Sequence, residues 1–286
     1  MDIKGFITEN RQRMLDELFD ILRIPSVSAD PAFAGDVRRC AEAVAASLKR
    51  AGASNVEVIK TPGHPIVFGE YQTSVDAPTV LVYGHCVVQP PDPIDLWDNP
   101  ACEPIMKVTD KHPEGAIFAR GSCDDKGQMF MHVKALEAMV SNGDVPCNIK
   151  FIIEGEEEVG SSHLDDFIES NKDKLSADVV LVSDTGIFAN DTPSITVGLR
   201  GLSYVEVEVT GPNRDLHSGL YGGSAPNPIN ILAEMISSLK DEDQRITVDG
   251  FYDDVLELTS AEREAMARAP FSEETHKASI DIRVSK

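Results

Sequence analysis

Three short apolar runs constrain this chain more than any other feature of it: Thr79 to Tyr83 (TVLVY), Ile149 to Ile153 (IKFII) and Val179 to Val182 (VVLV). Each is strand-length, rich in β-branched residues and nearly continuous in hydrophobicity, the pattern of strands buried on both faces of a sheet. Helical periodicity falls between them, over Lys126 to Met139 and Leu164 to Asn171. Two amphipathic helices precede them. The first, about Ile3 to Leu22, carries Phe6, Met14, Leu15, Leu18, Phe19 and Leu22 on one face and stops at Ile24-Pro25; the second runs from about Gly35 to Ala51. Strands alternating with helices predict a three-layer α/β/α domain, which we place at residues 1–198. From about Gly201 the pattern becomes a period-two strand, LSYVEVEV, then a Gly/Pro/Asn-rich loop and a helix from about Asn227 to Leu239. These predict a second, α+β domain over residues 199–286.

Each apolar run leads directly into side chains that bind metals. TVLVYGH ends at His85, IKFIIEGEEE reaches Glu156, Glu157 and Glu158, and VVLVSD reaches Asp184. In open α/β sheets the crevice at the carboxyl ends of the strands gathers such residues from distant parts of the chain. A further acidic pair, Asp124-Asp125 in RGSCDDKGQ, precedes the Lys126 helix, placed either to cap it or to reach the crevice. Taken singly, EGEEE reads as a solvated loop and DDK as a cap. Three buried strands ending in His, Glu and Asp are a poor match to chance capping, and one histidine with several carboxylates and no thiolate suits zinc, manganese or cobalt.

Bulk properties narrow the alternatives. Lys and Arg number 26 against 48 Asp and Glu, a net charge of −22 that repels phosphate backbones and anionic membranes, so no nucleic-acid or membrane partner is expected. The charged, amphipathic N-terminus reads as neither signal peptide nor membrane span, which predicts a cytoplasmic protein. The five cysteines (Cys40, Cys86, Cys102, Cys123, Cys147) show no CxxC spacing and read as reduced thiols.

The segments VLVYGHCVVQPPDPIDLWDNPACEP, ARGSCDDKGQ, IIEGEEEVGS, VLVSDTG and DLHSGLYGGSAPNP, in this order, resemble the carnosinase and aminoacylase family of di-zinc metallopeptidases. QPPDPIDLW and LHSGLYGG resemble its dipeptidase branch more than its deacylases. The resemblance implies His85 and Asp184 on one divalent ion, Glu158 on the other, Asp124 bridging both, and Glu157 as general base. It also implies a cis peptide between Asp124 and Asp125. His217 matches a lid-domain histidine that, in family dimers, reaches the neighbouring subunit's site to polarise the scissile carbonyl; a homodimer through the lid domain and a dipeptide or short-peptide substrate follow.

Two departures from that family shape what is expected of the chain. Where the family has an aspartate two residues after the ligand histidine, this chain has Val87, which removes the side chain that orients the imidazole, a loss of typically about 10–100-fold in affinity or activity. Cys86 reads as filler, since a residue adjacent to His85 points elsewhere. The sequence also departs after Ser279, in IDIRVSK, and ends before the family's last histidine ligand, so weak or absent turnover is expected. The competing expectations are a non-catalytic truncated pseudoenzyme or binding module, and an N-acyl amino acid deacylase.

Overall fold

The computed structural model describes residues 2–187, 192–196 and 198–280, so the expected departure in IDIRVSK falls almost wholly outside the described residues. The chain divides into two units, Met1–Gly186 and Ile187–Lys286. The first begins with α1 (Ile3–Leu22), capped by the Asp2 carboxylate accepting from the Gly5 N–H at 2.6 Å, and α2 (Ala34–Arg50). In α2, Val37, Cys40, Ala41, Val44, Ala45 and Leu48 are buried at helical spacing, and each larger aliphatic side chain among them contributes about 1.5–3 kcal/mol by leaving water.

The strands β1 (Ser54–Ile59), β2 (Ile66–Tyr71) and β3 (Thr79–His85) follow, then a short hairpin of β4 (Ile105–Lys107) and β5 (Ala116–Phe118). After α3 (Lys126–Asn142) come β6 (Asn148–Glu154), α4 (Leu164–Ser170), α5 (Lys172–Leu175) and β7 (Val179–Val182). The main sheet has the order β1-β2-β6-β3-β7. β3 runs parallel to β6 and β7, and β2 antiparallel to β1 and β6. Alternate residues of the central strands face opposite layers, as strand geometry requires. Val67, Val82, Phe151 and Ile153 pack with α1, α2 and α3, whereas Ile66, Phe68, Leu81 and Ile152 pack with Phe167 and Leu175 of α4 and α5. The result is the expected three-layer arrangement. Lys126, fully buried at the start of α3, donates from Nζ to the carbonyls of Ile21 (3.2 Å) and Ile24 (2.6 Å), tying the end of α1 to the start of α3.

Two expectations are corrected. β7 was expected to be buried on both faces, but Val179, Val180, Leu181 and Val182 are all exposed. Among the described residues it pairs only with β3, at the edge of the sheet, and hydrophobicity alone does not distinguish an edge strand from a central one. In the second unit, LSYVEVEV forms no ladder among the described residues, and Leu202, Tyr204 and Val205 are exposed. Alternation describes a strand only where a second strand accepts its hydrogen bonds, and none is present there. The described part of this unit holds α6 (Ser218–Tyr221), α7 (Pro228–Ser238), α8 (Ser260–Ala267) and α9 (Glu273–Ser279); Asn227 caps α7 through its side chain. No helix of the described chain is long and apolar enough to cross a membrane.

Candidate metal centre

Because β3, β6 and β7 are parallel, their carboxyl ends lie on one edge of the sheet, and the chain leaves that edge at His85, Glu154 and Val182. His85 closes β3 with its ring fully buried. Its Nδ1 lies 3.0 Å from the backbone carbonyl of Val87, which sets the tautomer: Nδ1 carries the proton and donates, and the Nε2 lone pair points the other way. Nε2 is buried and has no hydrogen-bond partner. It faces carboxylate oxygens of Asp124 (3.2 Å), Asp184 (3.4 Å) and Glu157 (3.7 Å). Ligand atoms of His85, Asp124 and Glu158, and those of His85, Glu157 and Asp184, lie within 4.8 Å of one another.

An unpartnered buried imidazole lone pair among carboxylate oxygens is the arrangement a divalent cation satisfies, and the oxygen-rich donor set fits zinc, manganese or cobalt. The acceptor that the Val87 side chain lacks is supplied by its main chain: the carbonyl of the same residue accepts the imidazole proton that an aspartate side chain would have taken. Cys86 is buried in the core cluster, with its thiol 3.6 Å from the Glu154 carbonyl, and is not among the metal-competent groups.

The acidic pair before α3 reaches the crevice rather than capping the helix. Asp125 occupies the cap position without a side-chain cap bond; its Oδ2 accepts instead from the His85 backbone N–H at 3.0 Å. The approach depends on Gly84, where a β-carbon would sit 2.7 Å from that oxygen. The peptide between Asp124 and Asp125 is cis. Burial, aided by repulsion from Asp184 and Asp124, pushes the Asp125 carboxyl up to about 7. The Glu157 carboxyl is also raised, by desolvation first and then by Glu158, Asp184 and Asp124, against the opposing pull of His85.

Several supporting contacts escaped the sequence. Gln89 donates from its backbone N–H (3.1 Å) and its Nε2 (2.8 Å) to the two oxygens of Glu158. Tyr83 and Ser161 hydroxyls donate to the buried Glu154, the latter at 2.9 Å. His163 pairs with Glu156. Only the proximity of polar residues to the motifs could have signalled these. His217 belongs to the second unit, where it is exposed and its Nδ1 accepts from the Gly219 N–H at 3.0 Å at the start of α6.

A mixed sheet whose parallel strands converge on a buried histidine ringed by carboxylates is an α/β domain carrying a candidate metal centre. The chain belongs to peptidase family M20/M25/M40, whose family model matches residues 81–282. It is 34% identical over 268 residues to the Cys-Gly metallodipeptidase dug1 of Schizosaccharomyces pombe, covering 90% of this chain and 55% of that protein. It is also 34% identical over 250 residues to the human Beta-Ala-His dipeptidase, covering 83% and 48% respectively. Among solved structures, the M20 family metallo-carboxypeptidase Sso-CP2 from Sulfolobus solfataricus matches with a TM-score of 0.74 and 32% identity, over 96% of this chain and 60% of that one. Human carnosine dipeptidase 1 matches with a TM-score of 0.74 and 26% identity, over 99% and 61%. The chain spans about half the length of the curated relatives it matches.

Proposed function

We propose that this chain hydrolyses dipeptides or short peptides at a divalent-cation centre on the carboxyl edge of its sheet. The observation that carries the reading is the buried, unpartnered Nε2 of His85 facing oxygens of Asp124, Asp184 and Glu157. His85 and Asp184 would hold one cation and Glu158 a second, with Asp124 serving both; zinc is the first choice, manganese or cobalt the alternatives. When bound, such cations supply Lewis acidity to the scissile carbonyl and to water.

Glu157 is the general base. It takes a proton from the attacking water as the new C–O bond forms, and returns it to the departing amine as the C–N bond breaks, leaving two amino acids. Its raised affinity for protons, caused by desolvation and neighbouring carboxylates, suits both halves of that exchange. We assign catalysis to residues 1–198 and a lid and dimerisation role to 199–286, with His217 of a neighbouring subunit polarising the carbonyl. Dipeptides are preferred to N-acyl amino acids because the matched relatives are named as Cys-Gly and Beta-Ala-His dipeptidases.

His85 is the one imidazole in either ligand cluster among the described residues, so at most one cation per chain is expected to bind, weakly, and turnover is expected to be low. The test is hydrolysis of a dipeptide panel with added zinc or manganese, beside Glu157→Ala and Val87→Asp variants and a metal titration. Turnover that Glu157→Ala abolishes, with about one ion bound, supports the reading. Two stoichiometric ions overturn the occupancy, and inactivity of all three proteins favours a non-catalytic binding module.

A further inference from the structure

The turn carrying Glu157 and Glu158 is anchored by a residue that itself faces away from the cation ligands. Glu156, the first glutamate of EGEEE, is buried, and its carboxylate meets Nδ1 of His163 at 2.9 Å and 3.2 Å through its two oxygens. Its backbone carbonyl accepts from the N–H groups of Val159 (3.0 Å) and Ser161 (2.9 Å), closing the turn on which the next two glutamates sit. The carboxylate is also packed against Gly63 of the Thr61–His64 loop. There the Gly63 N–H donates to the Thr61 hydroxyl at 3.1 Å, and a β-carbon at position 63 would lie 1.9 Å from the nearer Glu156 oxygen and 2.9 Å from His163 Nδ1. A buried carboxylate bonded to a histidine and packed against a bare glycine can move little, and the turn that starts from it moves little either.

We propose that Glu156 and His163, seated on Gly63, are positioning residues that hold Glu157 and Glu158 in their working geometry. The inference rests on the reading of Glu158 as a cation ligand and Glu157 as the base. A pair that merely added stability would leave cation affinity untouched once the protein was folded. A pair that positions the turn sets that affinity, because ligand groups displaced by about 1 Å lose much of their effect.

The test measures zinc affinity of the full chain by competition with a chromophoric chelator, together with circular dichroism and thermal melting. The variants are His163→Ala, His163→Asn, Gly63→Ala and, as reference, Glu158→Ala. His163→Ala and Gly63→Ala, which disturb the same carboxylate in different ways, one by removing its partner and one by crowding it, are expected to weaken zinc binding about 10-fold with the fold intact. His163→Asn, whose amide places a donor near the position of Nδ1, is expected to restore affinity to within about threefold. Wild-type affinity in His163→Ala and Gly63→Ala, beside weakened binding in Glu158→Ala, overturns the positioning role and leaves the metal reading intact. Failure of Asn to restore what Ala loses also overturns it, since packing alone is then at stake. Unchanged affinity in Glu158→Ala removes the ligand reading and the inference with it.

Discussion

Replacing Asp125 by Asn should remove most of the pH dependence of stability that the metal centre imposes on the metal-free protein. Asp125 is 1% exposed, one of its oxygens has no partner, and burial raises its carboxyl from an ordinary 3.8 to about 7. The folded chain then binds this proton more tightly than the unfolded chain, so the group's contribution is fully present below about pH 4 and is lost as pH rises through about 7. At about 1.4 kcal/mol per pH unit between the two values, ionisation in the folded state costs about 4 kcal/mol, of which about 2.5 kcal/mol develops between pH 5 and 8. Asparagine keeps an oxygen for the His85 N–H and carries no charge. Urea unfolding in chelator at pH 5, 6, 7 and 8 should therefore show stability of the parent falling faster than that of Asp125→Asn by about 2 kcal/mol across the range. The net charge of −22 affects both proteins alike, so the difference isolates the site. Parallel pH profiles would refute the argument.

Lys126→Met should destabilise the first unit by about 2 kcal/mol in urea unfolding, because the carbonyls of Ile21 and Ile24 lose a buried charged donor. Phe151→Ala should cost about 3–5 kcal/mol, whereas Val180→Thr on the exposed edge strand should stay within about 0.5 kcal/mol; equal effects would contradict the layer assignment. Gln89→Ala should weaken divalent-cation binding up to about 10-fold in a chelator competition by removing the side-chain donor from Oε2 of Glu158, while the backbone N–H still holds Oε1. Val87→Asp should raise cation affinity by less than about tenfold, since Nδ1 of His85 already has an acceptor and only the acceptor's added charge is gained, and should lower stability by burying a new carboxylate. A gain of tenfold or more would mean that the carbonyl is an inadequate substitute.

What the sequence revealed and what it hid follow from the same physics. His85 and Asp184 were legible because they end or closely follow parallel strands, and parallel strands deliver their ends to one edge. The hairpin β4 and β5 escaped because three-residue strands carry too few alternations to register, and β1 and β2 because Asn55 and Gly69 interrupt their patterns. The burial of β7 was misjudged because apolar content reports what a strand prefers, not which neighbours cover it. Asp125 was ambiguous between cap and crevice until Gly84 gave its carboxylate room to reach the His85 N–H.

Val87 is the case where reading side chains misleads. An aspartate at that position would orient the imidazole by accepting its Nδ1 proton, and valine has nothing to accept it with, yet the main-chain carbonyl at 3.0 Å does so. The substitution therefore leaves the tautomer and ring orientation in place while changing what the acceptor lends. A carboxylate shares a full negative charge with the ring and strengthens Nε2 as a ligand; a carbonyl dipole shares much less. The expected consequence is a centre with intact geometry and reduced grip, in which the surrounding carboxylates of Asp124 and Asp184 supply a larger part of the attraction for the cation.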